Sequence, residues 1–190
     1  AFVPLEVLLV TLILHKLLES REKRHLLHKL NMVIGAFFSE AGTDLIKILH
    51  TFDSSAQEYE DKLKITPQWK DEDFSSVGSE LKKIKSSIRA EKGGLRRLKG
   101  FLDTKRSFLL GLLENPNLLE HDAFTDLLWA AFHLTEELAH RSDFDTIPET
   151  DLHHLGGDMK RAYEALISEW VDYMHHLKKN YPYLFSLAVR

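Results

Sequence analysis

Residues 29–52, KLNMVIGAFFSEAGTDLIKILHTF, contain the apolar pattern that decides the fold of this chain. Apolar side chains recur there every three or four residues, which is the period of an α-helix with one buried face. They are Leu30, Ile34, Phe37, Phe38, Ala41, Leu45, Ile48 and Phe52. Between Met32 and Phe38 the helix is apolar on all sides, so we expect several other helices to surround it.

The remainder of the chain also predicts helices. It has only five prolines and nine glycines, and no alternating run of apolar and polar residues indicates a strand. We expect a second helix to begin at Thr66-Pro67, where threonine caps the free amides and proline occupies the first helical position. The glycine pair Gly93-Gly94 predicts a kink or a break in that helix.

Two further helices complete the prediction. Asn117 and Glu120 resemble a capping box at the start of the third helix. The fourth helix follows the loop RSDFDTIPET and ends near Asn180 and Pro182. Four long helices with short connections predict an all-α, four-helix-bundle-like domain.

The N-terminus carries a separate signal, the apolar run FVPLEVLLVTLILHKLL at residues 2–18, followed by the basic stretch ESREKRHLLHKL. That order is typical of a membrane anchor leading into a cytoplasmic domain. The uninterrupted part, Val7 to Leu14, is shorter than the roughly 20 residues that a span needs. Because the chain begins at Ala1, we interpret residues 1–20 as an anchor remnant and the start of a stalk, and 21–190 as a single bundle domain. The alternative is a first helix buried in the core.

The anchor and the first bundle helix are expected to be one continuous helix. No proline or glycine follows Pro4 until Gly35, so the helix should run from the apolar run to about Phe52. At about 1.5 Å per residue it would be roughly 75 Å long. Its N-terminal part would therefore stand clear of the bundle.

Composition limits the chemistry. A chain of 190 residues with 44% hydrophobic content is sufficient for one domain with a sizeable core. The absence of cysteine excludes disulfides, a thiolate zinc site and a cysteine nucleophile. The sequence also lacks a phosphate-binding glycine loop, a G-x-S-x-G elbow and an H-E-x-x-H motif.

The net charge of -4 hides two blocks of opposite sign. Residues 82–106, from Lys82 to Arg106, hold ten basic and two acidic side chains, whereas residues 107–158 hold eleven acidic side chains and one arginine. We favour adjacent antiparallel helices on which the two blocks compensate each other. The alternative is that the basic block binds an anionic membrane surface or nucleic acid. Nucleic acid is the weaker choice, because the block lacks interleaved aromatic residues for stacking.

Eleven histidines are the main supply of candidate metal ligands. His133, Glu137 and His140 lie at positions i, i+4 and i+7, on one helix face, and Glu40 is a candidate carboxylate on the first helix. Ferritin-like bundles hold two iron or manganese ions with such side chains. Against this site, Glu137 and His140 flank the apolar stripe of their helix, and solvated histidines are common at helix edges. Our main prediction has no cofactor.

Three stretches, NMVIGAFFSE, NPNLLEHDAFTDLLWAAFHLTEELAHR and NYPYLFSLA, resemble an uncharacterised family of small prokaryotic proteins. The resemblance implies an N-terminal membrane segment and a helical cytoplasmic domain. It implies no activity and no functional residue.

The sequence therefore predicts a membrane-anchored, cytoplasmic, helical interaction or sensory module without catalytic activity. We expect its first helix to pair with a second copy or with a partner membrane protein. The alternatives are a di-metal oxidoreductase built on His133, Glu137 and His140, and a module that binds membrane surfaces or nucleic acid through residues 82–106.

Overall fold

The computed structural model describes residues 3–81, 83, 86–116, 118 and 121–189, with side chains in these ranges apart from 3–6 and 23–28. The described residues form seven α-helices and no strand, with one isolated β-bridge between Asp53 and Ile88. The helices are α1 (Val3–Phe37), α2 (Thr43–His50), α3 (Asp71–Leu81), α4 (Lys92–Leu113), α5 (Asp122–Ala139), α6 (Glu149–Asn180) and α7 (Pro182–Ala188). The predicted all-α class is confirmed.

The long first helix is also confirmed, with one irregular turn. A π-helical turn, Phe38–Gly42, joins α1 to α2 without leaving helical backbone geometry. The backbone N–H of Thr43 bonds to the carbonyl of Phe38, and the Thr43 hydroxyl donates to the same oxygen at 2.9 Å. A Cβ atom added at Gly42 would lie 2.7 Å from ring carbons of Phe37 and Phe38, so the turn requires glycine there.

One apolar core holds the long helices together. Every member of the predicted stripe from Leu30 to Phe52 is buried, and Phe37 and Leu45 have no exposed surface. Full burial of each such side chain is favourable by about 1.5–3 kcal/mol. Residues of α1, α2, α4, α5 and α6 share this core. Since α1 and α2 are continuous, four long helical segments surround it, as the bundle prediction requires.

Two short helices, α3 and α7, pack on α6 outside this core. They cover a second apolar cluster that includes Phe74 of α3, Val171 and Met174 of α6, and Phe185 of α7. The predicted four-helix bundle is therefore extended along α6 by two additional helices.

The second helix begins later, and is interrupted earlier, than the sequence predicts. The helix begins at Asp71 and not at Thr66-Pro67, because three acidic residues, 71–73, occupy its first turn and Asp73 accepts the N–H of Lys70 at 2.6 Å. The predicted interruption exists, but it lies between α3 and α4. Gly93 and Gly94 consequently belong to the first turn of α4. The capping box predicted at Asn117 and Glu120 lies outside the described residues.

The N-terminal part of α1 projects from the bundle. Every side chain from Val7 to Glu22 is exposed, and the first buried side chain described in α1 is that of Leu30. We call residues 7–22 the arm. The alternative interpretation, a first helix buried in the core, is wrong for the arm because its side chains are exposed among the residues that the structure describes. None of the helices described here combines the length and the apolar character needed to cross a membrane.

Candidate functional site

The predicted metal ligands lie in three separate places. His133 and Glu137 are one turn apart on α5, and His154 of α6 faces them, so that ligand atoms of all three lie within 4.8 Å of one another. His140 follows the end of α5, and its Nδ1 lies 2.7 Å from the carbonyl oxygen of Glu136. Seven residues along a helix is about 10.5 Å, so His140 is two turns away from His133. Glu40 is paired with Lys105, at 3.7 Å, on another part of the surface.

The structure thus brings together two of the four predicted ligands and adds two others from α6. The second addition is Asp158, whose Oδ2 atom lies 3.4 Å from Nε2 of His154 and 3.9 Å from Nε2 of His133. We call His133, Glu137, His154 and Asp158 the His-carboxylate cluster. The sequence contained one signal for it, since each helix contributes a histidine and a carboxylate at i, i+4 spacing. The sequence does not show the register in which α5 packs against α6, so it could not predict that the two pairs lie side by side.

Two arginines flank the cluster. Arg141 donates to Oε2 of Glu137 at 2.6 Å, and this hydrogen bond holds the pKa of Glu137 below its usual value. Arg161 pairs with Oδ1 of Asp158. Each arginine therefore engages one oxygen of a carboxylate. The cluster offers two imidazole nitrogens and two carboxylate oxygens, a ligand set that divalent transition metals accept.

A buried polar network missed by sequence reasoning lies between the end of α2 and α6. Asp53 accepts hydrogen bonds from the Tyr59 hydroxyl, from the backbone and hydroxyl of Ser55, and from the N–H of Ser87 at 2.9 Å. Burial acts to raise the pKa of Asp53, but these hydrogen bonds outweigh it and the pKa is lowered. The Tyr163 hydroxyl lies 3.4 Å from that of Tyr59, and burial raises the pKa of Tyr163 to about 12. The network fixes the segment after α2, which contains Asp53 and Tyr59, to Tyr163 of α6.

Glu169 of α6 is a second buried acid. It is 5% exposed, and burial, with a smaller contribution from Asp172, raises its pKa to about 7. A carboxyl group with this pKa changes charge near neutral pH, so Glu169 makes the stability of the bundle depend on pH.

Part of the basic block lies beside α5 and pairs with groups of the acidic block, as in the favoured interpretation. The Lys99 ammonium donates to the carbonyls of Leu138 and Ala139 at the end of α5, at 2.9 and 3.0 Å. Arg106 pairs with Glu136 at 2.7 Å, and Arg96 pairs with Asp145. Residues later in α4 pair with residues earlier in the α5 region: Arg96 pairs with Asp145, whereas Arg106 pairs with Glu136. This order confirms that α4 and α5 are antiparallel.

The arm is the largest exposed apolar feature of the described chain. Its exposed apolar side chains lie on all sides of the helix, at Val7, Leu8, Leu9, Val10, Leu12, Ile13, Leu14, Leu17 and Leu18. A groove of about 740 Å³ opens near its base, between α1, α6 and α7. Met32, Leu184 and Leu187 line this groove and are about half exposed.

Comparison with known proteins identifies relatives of the whole chain. The family described as "Uncharacterized protein MJ1433, C-terminal helical domain" matches residues 26–190. The chain is 47% identical over 190 residues to "Uncharacterized protein MJ1433" of Methanocaldococcus jannaschii, an alignment that covers 100% of this chain and 76% of that protein. No solved structure matches. These findings confirm the helical-domain part of the resemblance noted in the sequence, whereas neither describes a membrane segment. The chain belongs to the family of the MJ1433 C-terminal helical domain.

Proposed function

We propose that the protein is a helical interaction module that associates with a membrane through its arm. The observation that carries this proposal is the apolar surface of the arm, which is exposed on all sides of one helix. Nine large apolar side chains there are each more than half exposed, from Ile13 at 51% to Leu18 at 62%. Exposed apolar patches of this kind are typical of surfaces that bind a partner or a membrane.

The distribution of these side chains favours lipid over a single protein partner. One partner helix covers a stripe on one side of the arm, whereas lipid covers all sides. Completing the burial of each half-exposed side chain is favourable by roughly 1 kcal/mol, half the value for full burial. The described helix up to the last apolar residue of the arm, residues 3–18, is 16 residues and therefore about 24 Å long, against a hydrocarbon core of about 30 Å. We propose that these residues lie within the hydrocarbon core.

The charges that follow the apolar part support a cytoplasmic position of the bundle. Arg21, Lys23 and Arg24 follow the last apolar residue of the arm, Leu18, within six positions. Basic residues are enriched on the cytoplasmic side of membrane segments. On this proposal the bundle faces the cytoplasm while the arm lies in the membrane.

We propose further that the arm pairs there with a second copy or with a partner membrane protein. The groove at its base supports this, because it adds apolar surface next to the helix. Since α1 continues into the core at Leu30, pairing or tilting of the arm would move core side chains directly. That continuity would suit a sensory role.

Flotation with neutral phosphatidylcholine vesicles tests the membrane proposal. We expect the wild-type protein to float with the vesicles at both low and high salt, because apolar insertion is insensitive to ionic strength. The variant Leu9→Gln/Ile13→Gln/Leu17→Gln should float much less, since glutamine keeps the helix but replaces three of the nine exposed apolar side chains with amides that are costly to bury in lipid. The matched control, Leu110→Gln/Trp129→Gln, removes exposed apolar groups on α4 and α5 and should float. A wild-type protein that fails to float, or that binds only anionic vesicles at low salt, would contradict the proposal.

A further inference from the structure

The His-carboxylate cluster contains a buried oxygen atom that has no hydrogen-bond donor. Oδ2 of Asp158 has no hydrogen-bond partner within the described chain, although the Asp158 side chain is only 1% exposed. Buried carboxylate oxygens are nearly always hydrogen-bonded, because desolvating one without a partner is costly. An orphaned oxygen of this kind calls for an unseen ligand such as a water molecule or an ion.

The groups around this oxygen favour a cation over a water molecule. Nε2 of His154 lies at 3.4 Å and Nε2 of His133 at 3.9 Å, yet neither contact is a hydrogen bond. Two imidazoles and one carboxylate oxygen thus point at a common space. Glu137 adds a further carboxylate, whose ligand atom lies within 4.8 Å of those of both histidines.

The two separations between Asp158 and the histidines fit a small ion after modest adjustment. A tetrahedral Zn²⁺ with ligand bonds near 2.0–2.2 Å holds its ligand atoms about 3.4 Å apart. Nε2 of His154 already lies at this distance, 3.4 Å, from Oδ2 of Asp158. Nε2 of His133 is slightly farther from the same oxygen, at 3.9 Å. The side chains of His133 and His154 are 53% and 58% exposed, so they are free to move inward and an ion can enter from solvent.

The flanking arginines prepare the carboxylates for this role. Arg141 binds Oε2 of Glu137, and Arg161 binds Oδ1 of Asp158, which leaves one oxygen of each carboxylate for an ion. Ligating carboxylates in metal sites are usually held by such outer hydrogen bonds. The two positive charges also weaken a dication's affinity, so only good geometry makes the site effective.

We infer that His133, Glu137, His154 and Asp158 bind one divalent transition-metal ion of the zinc type, which links α5 to α6. Imidazole nitrogen with carboxylate oxygen favours zinc and its neighbours over calcium or magnesium. Four ligands provide for one ion, whereas a ferritin-like di-metal site needs additional carboxylates. The inference is independent of the membrane proposal.

Calorimetric titration of ZnCl2 into the chelator-treated full chain, free of any histidine tag, tests the inference. We expect one Zn²⁺ per chain, and Co²⁺ at the same site should produce the visible absorption of tetrahedral coordination. The variants Asp158→Asn and His133→Ala/His154→Ala should each weaken binding by roughly 10–100-fold or more. His153→Ala on α6 and His140→Ala directly after α5 are matched controls and should leave the affinity unchanged.

Two results would overturn the inference. One is a stoichiometry far below one ion per chain. The other is equal weakening by His153→Ala and by His133→Ala/His154→Ala, which would indicate unspecific binding to surface histidines. Circular dichroism of each variant separates loss of ligand from loss of fold. If Asp158→Asn fails to fold, the His133→Ala/His154→Ala variant still tests metal binding, because both histidines are exposed.

Discussion

Oδ2 of the buried Asp158 lies 3.4 Å from Nε2 of His154, a side chain that is more than half exposed. The contact connects the interior of the bundle to its surface across the α5–α6 seam. An ion that arrives from solvent meets the histidines first and can then reach the buried carboxylate. Metal occupancy and bundle stability are therefore linked, because the ligands come from two helices.

Zinc should raise the melting temperature of the wild-type protein. A ligand at about 100 times its Kd stabilises the folded state by about 2.7 kcal/mol, which for a domain of this size is roughly 5–10 °C. Differential scanning calorimetry with and without ZnCl2 measures the shift. Asp158→Asn should remove it, whereas His153→Ala should retain it; a shift of equal size in both variants would exclude the cluster as its source.

Replacing Asp53 with asparagine should destabilise the protein at neutral pH. The change weakens a buried set of hydrogen bonds, a loss of roughly 1–3 kcal/mol in the free energy of unfolding. Because the pKa of Asp53 is lowered in the fold, its contribution is present above its ordinary value of 3.8 and is lost as the pH falls through the lower folded-state pKa. Urea titrations at pH 7 and below pH 3.8 should show a stability difference at the first pH that shrinks at the second.

Asp44→Asn is the control for this prediction. Asp44 is exposed on α2 and pairs with Lys47, at 3.2 Å. It should leave stability almost unchanged at either pH. If Asp53→Asn were equally neutral at pH 7, the network around Tyr59 would not be a stabilising element.

Glu169→Gln should stabilise the bundle at neutral and alkaline pH but hardly at acid pH. The pKa of Glu169 is raised from 4.5 to about 7, so its neutral form contributes fully below pH 4.5 and that contribution is lost as the pH rises through 7. Glutamine cannot ionise. The variant should therefore exceed the wild type by up to about 3 kcal/mol at pH 8 and by little at pH 5.

Chemical denaturation at the two pH values measures this difference. Glu72→Gln, at an exposed position of α3, is the matched control and should behave like the wild type. A variant with equal gains at pH 5 and pH 8 would show that Glu169 acts by packing and not by titration.

Two glycine-to-alanine changes should have opposite effects. At Gly42 the new Cβ would lie 2.7 Å from the rings of Phe37 and Phe38, and the overpacking should cost about 1–3 kcal/mol. At Gly111, an exposed position inside α4, nothing lies within 4 Å of the added atom, so alanine should stabilise the helix by up to about 1 kcal/mol. Thermal denaturation of the two variants compares them directly. Equal effects would mean that the π-helical turn tolerates a side chain.

The periodic parts of the sequence predicted the fold well. The stripe from Leu30 to Phe52 is strong enough to define a buried helix face, and every member is buried. The opposite charges of residues 82–106 and 107–158 correctly predicted neighbouring antiparallel helices. The ends of helices were predicted less well. Thr66-Pro67 and the acidic residues at Asp71 are both helix-start signals, and the helix begins at Asp71.

The sequence predicted only two of the four residues of the His-carboxylate cluster. His133 and Glu137 share a helix face, and that relationship is local, so spacing reveals it. His154 and Asp158 reach the same point only because α6 packs against α5 in one register, which depends on the whole core. The Asp53 network was hidden for the same reason, since Asp53 and Tyr163 are 110 positions apart in the sequence.

The central claim, that the arm lies in a membrane, is tested most directly by the position of Ile13 relative to lipid. The chain has no cysteine, so Ile13→Cys and Ser79→Cys each accept a single environment-sensitive fluorophore, one on the arm and one on the exposed surface of α3. With vesicles containing quencher-labelled lipid, we predict a blue shift and strong quenching at residue 13 and neither at residue 79. Emission at residue 13 that stays water-like and unquenched on vesicles would contradict the claim.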